Sequence, residues 1–248
     1  GQNDNIFDFV MRTEGLTFPE TVERLAGEAG LSLPIVSEET QLREQKRAGL
    51  QEVLEYSAQF FAQALQGRSG AKARGYLADR GLGPQVQAQF RLGYSLDEKF
   101  ALRDWLAAKG ASVETMIEAG MLVHGEGIAV PYDRFRDRVM FPICDRAGKV
   151  IAFGGRALSK DVPAKYLNSP ETPLFHKGAT LYNHHNARKP AYDKGSVIAV
   201  EGYVDVIAMT GAGFPNVVAP LGTALTPDQV ELMWRMAEEP ILCFDGDR

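Results

Sequence analysis

An α/β fold is expected of this chain: a mixed α+β N-terminal subdomain followed by a parallel βαβ subdomain. Three patterns predict it. Apolar residues recur at helical spacing through the first half, an apolar hairpin pattern spans Val139–Phe153, and short apolar strands alternate with helices from Val197 to Phe244.

Taken in order, Ile6, Phe9 and Val10 mark one helical face, and Val22, Leu25, Ala26 and Ala29 mark a second. Thr17 and Glu20 have capping-box spacing, with Pro19 just inside and Gly30 as the stop. A polar stretch around Ser37–Glu44 leads into an amphipathic run, Leu50–Leu65, closed by Gly67–Gly70. Shorter helices are expected at Gly75–Arg80, Leu102–Lys109 and Val113–Ala119. Val139–Ile143 and Val150–Phe153 flank Asp145–Gly148, a turn signal, and read as a β-hairpin. Gly154–Pro190 reads as loop-rich. Beyond it come strand Val197–Val200, helix Tyr203–Thr210, strand Val217–Pro220, helix Thr226–Ala237 and strand Ile241–Phe244. Thr226, Pro227 and Gln229 supply the cap and first turn of the second helix. This alternation implies parallel βαβ units.

With 248 residues, 45% hydrophobic and 24% charged, the composition excludes intrinsic disorder. Runs such as Val217–Leu221 fall far short of the ~20 apolar residues of a membrane span, and no secretory signal opens the sequence, so a cytoplasmic protein without a membrane partner is expected. Cys144 and Cys243 sit in apolar runs without a Cys or His at metal spacing, against an internal zinc site or a disulfide framework. The net charge of −5 is unevenly spread. Residues 134–189 carry 11 Lys/Arg against 4 Asp/Glu, whereas residues 1–133 carry 13 against 19 and residues 190–248 carry 3 against 9. A basic middle in an acidic chain suits a local polyanion site or a solvated basic face, and pattern alone does not choose.

In open parallel sheets, ligands collect outside the carboxyl ends of the strands. Glu201 directly follows the strand Val197–Val200, with Asp205 one helical turn on; Asp245 and Asp247 directly follow Ile241–Phe244. Four carboxylates are thus expected at one sheet edge. Crowded carboxylates repel unless a cation joins them, and a hard divalent ion such as Mg²⁺ fits oxygen donors. Gly202 and Gly246, between the acids, leave room for a phosphate near the backbone. The alternative is that acidic turn residues only cap helices and solvate loops; two such clusters in consecutive βα units favour a site.

EGYVD at Glu201–Asp205, followed about forty residues on by DGD at Asp245–Asp247, is similar to the leading motifs of the TOPRIM domain, which is shared by primases, topoisomerases, nucleases and recombination proteins. Longer strings separate these. RFRDRVMFPI (Arg134–Ile143), VIAFGGRAL (Val150–Leu158) and KYLNSPETPLFHKGATLYN (Lys165–Asn183) resemble the bacterial DNA primase core in order, as do IFDFVMRTEGLTFPETVERLA at the start and EGYVDVIAM.

The resemblance implies synthesis of short RNA primers on single-stranded DNA by nucleotidyl transfer, with single-stranded DNA template, ribonucleoside triphosphates and nascent RNA primer as partners. It implies that Glu201, Asp205, Asp245 and Asp247 are catalytic, Asp205, Asp245 and Asp247 as ligands of Mg²⁺ or Mn²⁺ and Glu201 as a further ligand or as proton acceptor. Lys165, Tyr166, Asn168, Lys177 and Arg156 are the expected nucleotide-binding residues. Arg134, Arg136 and Arg138 alternate, so a strand there would turn all three toward one DNA-binding face. Lys160, Arg188, Lys189 and Arg146 read as a solvated face. His176 is expected to orient a loop or meet phosphate, Trp105 and Trp234 to be core, and Tyr203 to pack beneath the acidic site. The expected segments are a helical tail at 1–36 that follows a missing zinc ribbon, a basic subdomain at 37–190 and the first part of TOPRIM at 191–248. Zinc is accordingly expected only in the absent N-terminal domain. A replicative helicase is expected to meet an absent C-terminal region, the setting being the nucleoid and replication fork. As such a fragment the chain is expected to fold but to prime poorly. A TOPRIM nuclease or topoisomerase, or a non-catalytic single-stranded DNA or nucleotide-binding fragment, are the competing readings.

Overall fold

The structure is a computed structural model and describes residues 5–31, 38–159, 162–222 and 224–246. The chain forms two compact units, Gly1–Gln45 and Lys46–Arg248.

In the first unit, α1 (Ile6–Glu14) starts at a capping box made by Asn5 and Asp8 and ends on Gly15 in the left-handed region. The box at Thr17 and Glu20 starts α2 (Phe18–Glu28): the Glu20 carboxylate accepts from the Thr17 amide at 2.7 Å and from its hydroxyl at 2.6 Å. Arg24 pairs with Glu14 and Glu28, and Phe7 meets Phe18 at 5.7 Å.

The helix expected over Leu50–Leu65 is longer. It runs as α3 (Glu38–Gln66), because the Glu, Gln, Arg and Lys residues ahead of Leu50 are good helix formers that need no buried face. Burial begins only at Leu50. Then follow α4 (Ala71–Asp79), α5 (Pro84–Gln89), β1 (Gly93–Ser95), α6 (Ala101–Ala108), α7 (Val113–Glu118), β2 (Leu122–Val123) and β3 (Tyr132–Asp133). The hairpin consists of β4 (Arg138–Cys144) and β5 (Val150–Ala157). Its turn closes on Asp145, whose Oδ1 accepts from the amides of Ala147 and Lys149, both at 2.9 Å, and on Gly148 at φ +80°. With β1 and β6 (Tyr166–Asn168) it makes an antiparallel sheet in the order β1-β4-β5-β6.

The loop expected up to Pro190 contains further structure. β7 (Leu181–Tyr182) and α8 (His184–Lys194) lie there, a helix disguised by its polar composition and by Pro190 inside it. Asn183 starts α8 from the left-handed region, and Gly195 at φ +67° ends it. The alternation that follows is β8 (Ser196–Val200), α9 (Tyr203–Gly211), β9 (Val217–Pro220), α10 (Pro227–Trp234) and β10 (Glu239–Cys243). The second sheet has the order β10-β8-β9-β7, with β8 parallel to both neighbours and β7 antiparallel to β9.

Strand alternation sorts the core into layers. Met140 and Phe153 pack with α3, α6 and α7, whereas Val139, Phe141 and Ile143 face the second sheet. Ile198, Val200, Val217 and Ala219 meet that layer together with α9. Val197, Ala199 and Val218 point the other way, to α8 and α10. Trp105 is half-buried beside Phe60 and Tyr56. Trp234 is not core: it is 63% exposed, because Met233 on α10 and Met236 just beyond it fill the space against the sheet.

The two sheets meet at Tyr203. Its ring stacks on Phe141 at 4.9 Å and 11°, meets Tyr182 edge-on at 4.8 Å, and donates its hydroxyl to Asn168 Oδ1 at 2.7 Å. Gly154 makes room for it, since a Cβ there would stand 2.4 Å from the ring's Cζ and Oη. Gly154→Ala should therefore cost about 1–3 kcal/mol and Tyr203→Phe about 1 kcal/mol, read from denaturant midpoints at unchanged slope. Stability equal to wild type for both would contradict this seam.

Asp133 is buried and accepts from the amides of Leu102 (2.8 Å) and Arg103 (3.0 Å), capping α6 from a distance. Burial raises its carboxyl from the usual 3.8 to about 6, outweighing the two amide bonds that pull it down. The folded chain holds this proton more tightly than the unfolded one, so the contribution favours folding below about pH 4 and is lost as pH rises through about 6. Relative to Asp133→Asn, wild type should lose roughly 2–3 kcal/mol of unfolding free energy between pH 4 and 7. A difference that stays constant over that range would show no such titration.

Candidate active site

The acids sit at strand ends because the βα turns place them there. Glu201 follows β8, and its Oε1 accepts from the Asp245 amide just beyond β10 at 2.9 Å, which ties the ends of two neighbouring parallel strands together. Asp205, in the first turn of α9, accepts from the Gly202 amide at 3.1 Å. Glu201, Asp205 and Asp245 line one open cavity of about 390 Å³, walled by Val200, Ala208 and Met209. Asp247 lies outside the described residues. Glu201 and Asp205 each accept from a backbone amide through one oxygen, and the other oxygen of each has no hydrogen bond among the described residues. A set of carboxylate oxygens suits a hard divalent ion. Among the described residues, no three His, Cys, Asp or Glu come close enough to hold one ion by themselves.

Beside this cavity lies the end of the antiparallel sheet. Arg156 on β5 stands opposite Tyr166 on β6. Tyr166 is exposed, 6.4 Å from Tyr203, with the Lys165 ammonium 6.0 Å from its ring. Asn168 is already engaged: its Oδ1 accepts from Tyr203, and its Nδ2 donates to the Leu221 carbonyl at 3.1 Å. Its side chain braces β6 against the second sheet. Lys177 is held through its backbone. Its amide donates to Glu171 at 3.0 Å and its carbonyl accepts from Gln229 at 3.1 Å, so the first turn of α10 carries this loop. His176 orients the same loop through Glu171, at 3.1 Å.

The expected row of three arginines does not form. Residues 134–137 are not a strand; Phe135 turns into the core and Asp137 takes φ +46°, which breaks the alternation. Each arginine has its own setting. Arg134 donates Nε to the Gly120 carbonyl at 3.0 Å, and burial lowers its pKa. Arg136 lies over Tyr132 at 4.9 Å and gives one Nη to the Asp133 carbonyl at 3.1 Å. Arg138 is buried, and its guanidinium reaches the carbonyls of Gly155 (3.2 Å), Ala164 (3.0 Å) and Lys165 (3.4 Å). It pins the segment that carries Lys165 rather than facing solvent.

Two residues that sequence reading passed over join the basic set. Tyr76 on α4 packs under the Arg156 guanidinium at 4.0 Å, and Arg80, one turn later, lies 5.4 Å from the same ring. Arg156 Nε and Tyr76 Oη are buried without a partner among the described residues. Only the i, i+4 spacing of an aromatic and a cation hinted at the pair, and that spacing is common on any helix.

A family model described as the DNA primase catalytic core, N-terminal domain, matches residues 60–188, just over half of the chain. The chain belongs to the DNA primase catalytic core family. A Toprim domain model matches residues 195–248 of this primase-family chain. The DNA primase of Pseudomonas putida is 42% identical over 254 residues, which take in 100% of this chain and 38% of that protein. The chain therefore spans well under half the length of such a relative. Among solved structures, the DnaG primase catalytic domain bound to ssDNA is similar at TM-score 0.74 and 41% identity, over 83% of this chain and 63% of that one. The RNA polymerase domain of Mycobacterium tuberculosis primase DnaG is similar at TM-score 0.77 and 34% identity, over 82% and 68%. These relatives support the α/β class with a Toprim-type parallel sheet.

The settings of the arginines in this primase-family chain predict different behaviour. Arg138→Ala should cost about 2–3 kcal/mol of stability, because it strips a charged donor from the buried Gly155 carbonyl and from the part-buried carbonyls of Ala164 and Lys165. Arg136→Ala should stay within about 1 kcal/mol. Thermal or denaturant unfolding of the two variants checks the order, and an Arg138→Ala chain as stable as Arg136→Ala would return Arg138 to a solvent-facing role.

Proposed function

We propose that this chain builds the reacting part of a DNA-directed RNA polymerase that lays short primers on single-stranded DNA. The observation that carries the reading is the cavity of Glu201, Asp205 and Asp245 beside a cationic strand end, the two joined through Tyr203 and Asn168. The family match over residues 60–188 favours primase over a Toprim nuclease or topoisomerase, which share only the acidic motifs.

In the proposed reaction, a 3′-hydroxyl oxygen attacks the α-phosphorus of a ribonucleoside triphosphate, its proton passes to the Glu201 carboxylate or to water, and pyrophosphate carries away the electron pair of the broken P–O bond. A Toprim domain implies a divalent metal; Mg²⁺ or Mn²⁺ is the ion we assign, and Glu201, Asp205, Asp245 and Asp247 would share its coordination with water and substrate phosphate oxygens, since no three of the described acids lie close enough to hold it by themselves. Such an ion, when bound, offsets charge at the reacting phosphate and orients its oxygens. The side chains do the positioning. Arg156, fixed by Tyr76, and Lys165 and Lys177, on loops pinned by Arg138 and Gln229, bind the phosphates of nucleotide and nascent primer. Tyr166 offers an exposed ring to a base. Asn168 acts as a brace that fixes β6, and with it Tyr166, against Tyr203 and Leu221. Arg136 keeps most of its donors for template phosphates.

Glu201→Gln, Asp205→Asn and Asp245→Asn should each cut ribonucleotide incorporation on single-stranded template at least 10²-fold, a barrier change of about 3 kcal/mol. The assay uses a protein of the relatives' length carrying this segment. Mn²⁺ titration of the chain itself should weaken in the same variants. Arg136→Ala should flatten the salt dependence of single-stranded DNA binding by about 0.7 in log–log slope, the value of one phosphate contact. Near-normal synthesis in the three acid variants would refute the site.

A further inference from the structure

The face of the parallel sheet away from α9 holds a second concave site. α8, α10 and the β4–β5 turn enclose a pocket of about 470 Å³, lined by Arg146, His184, Arg188, Lys189, Tyr192 and Arg235, with Leu232 and Met236 as its apolar part. That volume is within the range of small-molecule sites. It does not belong to the carboxylate cavity. The latter is walled by α9, whereas α8 and α10 pack on Val197, Ala199 and Val218, which point to the opposite face.

Its charge is one-sided. Four cations from three separate elements line it, and no carboxylate does. Lys189 and Arg235 each pair with an acid one turn away on their own helix, Asp193 at 2.8 Å and Glu231 at 2.5 Å, in exposed positions where such pairs are weak. The side chains of Arg146 and Arg188 have no hydrogen bond or ion pair among the described residues. They nonetheless converge on one group. His184 is buried, and burial first, then the charges of Arg146 and Arg188, lower its pKa to about 4. The fold thus gathers positive charge around a neutral imidazole, with Arg146, Arg188 and Lys189 drawn from the basic middle of the chain and Arg235 added from its acidic last segment. A surface that only needed solubility would not concentrate like charges in a concavity. Guanidinium groups presented together match the oxygens of phosphate. Tyr192, 80% exposed at the same pocket, adds a flat aromatic face, and Leu232 and Met236 add apolar surface.

We infer that this pocket binds a free nucleotide carrying two or more phosphates, with Arg146 and Arg188 on the phosphate chain and Tyr192 against the base. A half-open pocket whose cations are grouped around one aromatic face fits a single nucleotide better than a nucleic-acid strand, which needs an extended track of cations.

The test is calorimetric titration of the chain with ATP, tripolyphosphate and adenosine, in EDTA so that no divalent ion recruits nucleotide to the carboxylates. ATP and tripolyphosphate should bind and adenosine should not. Arg146→Ala and Arg188→Ala should each weaken both anions at least tenfold, while Arg146→Lys and Arg188→Lys retain part of the affinity. Tyr192→Ala should weaken ATP and spare tripolyphosphate. Asp205→Asn, in the carboxylate cavity, should leave the affinity for ATP and tripolyphosphate in EDTA unaltered, which separates this site from the polymerase reading. Equal thermal stability of the Arg→Ala chains and wild type shows that a loss is not unfolding. Absence of ATP binding at millimolar concentration would overturn the inference, as would binding insensitive to Arg146 and Arg188. So would an oligothymidylate that binds through these arginines and is not displaced by ATP, which would make the pocket part of a strand path.

Discussion

The structure depends on the burial of one aromatic ring between two sheets. Tyr203 belongs to the turn that presents Glu201 and Asp205, yet its ring is fixed by Phe141 and Gly154 of the antiparallel hairpin and by Tyr182 of the second sheet. An aromatic side chain buries a large area with few rotatable bonds, so it transmits position stiffly. Here it sets the distance between the carboxylates and the basic strand end. Its hydroxyl, satisfied by Asn168, places β6 as well. The polar bond matters because a buried phenol without a partner would cost stability.

The cationic side is built on the same economy of backbone contacts. Arg138 spends its charge on carbonyls of the segment that bears Lys165, and Gln229 holds the carbonyl at Lys177. Groups proposed to meet phosphate therefore stand on segments locked by groups that do not. Arg156 is the intermediate case. It lies on Tyr76, gives Nη1 to the Ala157 carbonyl at 2.9 Å and keeps a buried Nε without a partner, so its guanidinium is already fixed in place. The carboxylates follow the same rule, since Glu201 and Asp205 are each fixed through one oxygen by a backbone amide.

The parallel sheet separates two chemistries. Because successive residues of β8 and β9 point to opposite faces, α9 shapes the acidic cavity while α8 and α10 shape the basic pocket. A negative and a positive concavity thus coexist in a small unit without neutralising one another, separated by the strands themselves.

Local pattern alone determined much of this protein. The capping boxes at Thr17 and Thr226, the Asp145–Gly148 turn and the strand–helix alternation after Val197 depend on neighbours within a few residues, so they were legible. So was the placement of Glu201, Asp205 and Asp245 at strand ends, because a βα turn leaves its first residues at the sheet edge. The motif strings of Arg134–Asn183 carried the family resemblance in the same local way. Tertiary structure alone decided the rest. Alternation of Arg134, Arg136 and Arg138 suggested one face, but Asp137 at φ +46° and the inward turn of Phe135 sent the three side chains to different carbonyls. Pro190 and a polar sequence concealed α8, whose formation rests on burying Ala187 and Ala191 against the second sheet. Tyr76 and Arg80 joined Arg156, and Arg146 joined Arg188, across separations in sequence that no periodicity records. Such contacts are set by how layers pack, and packing is a property of the whole chain.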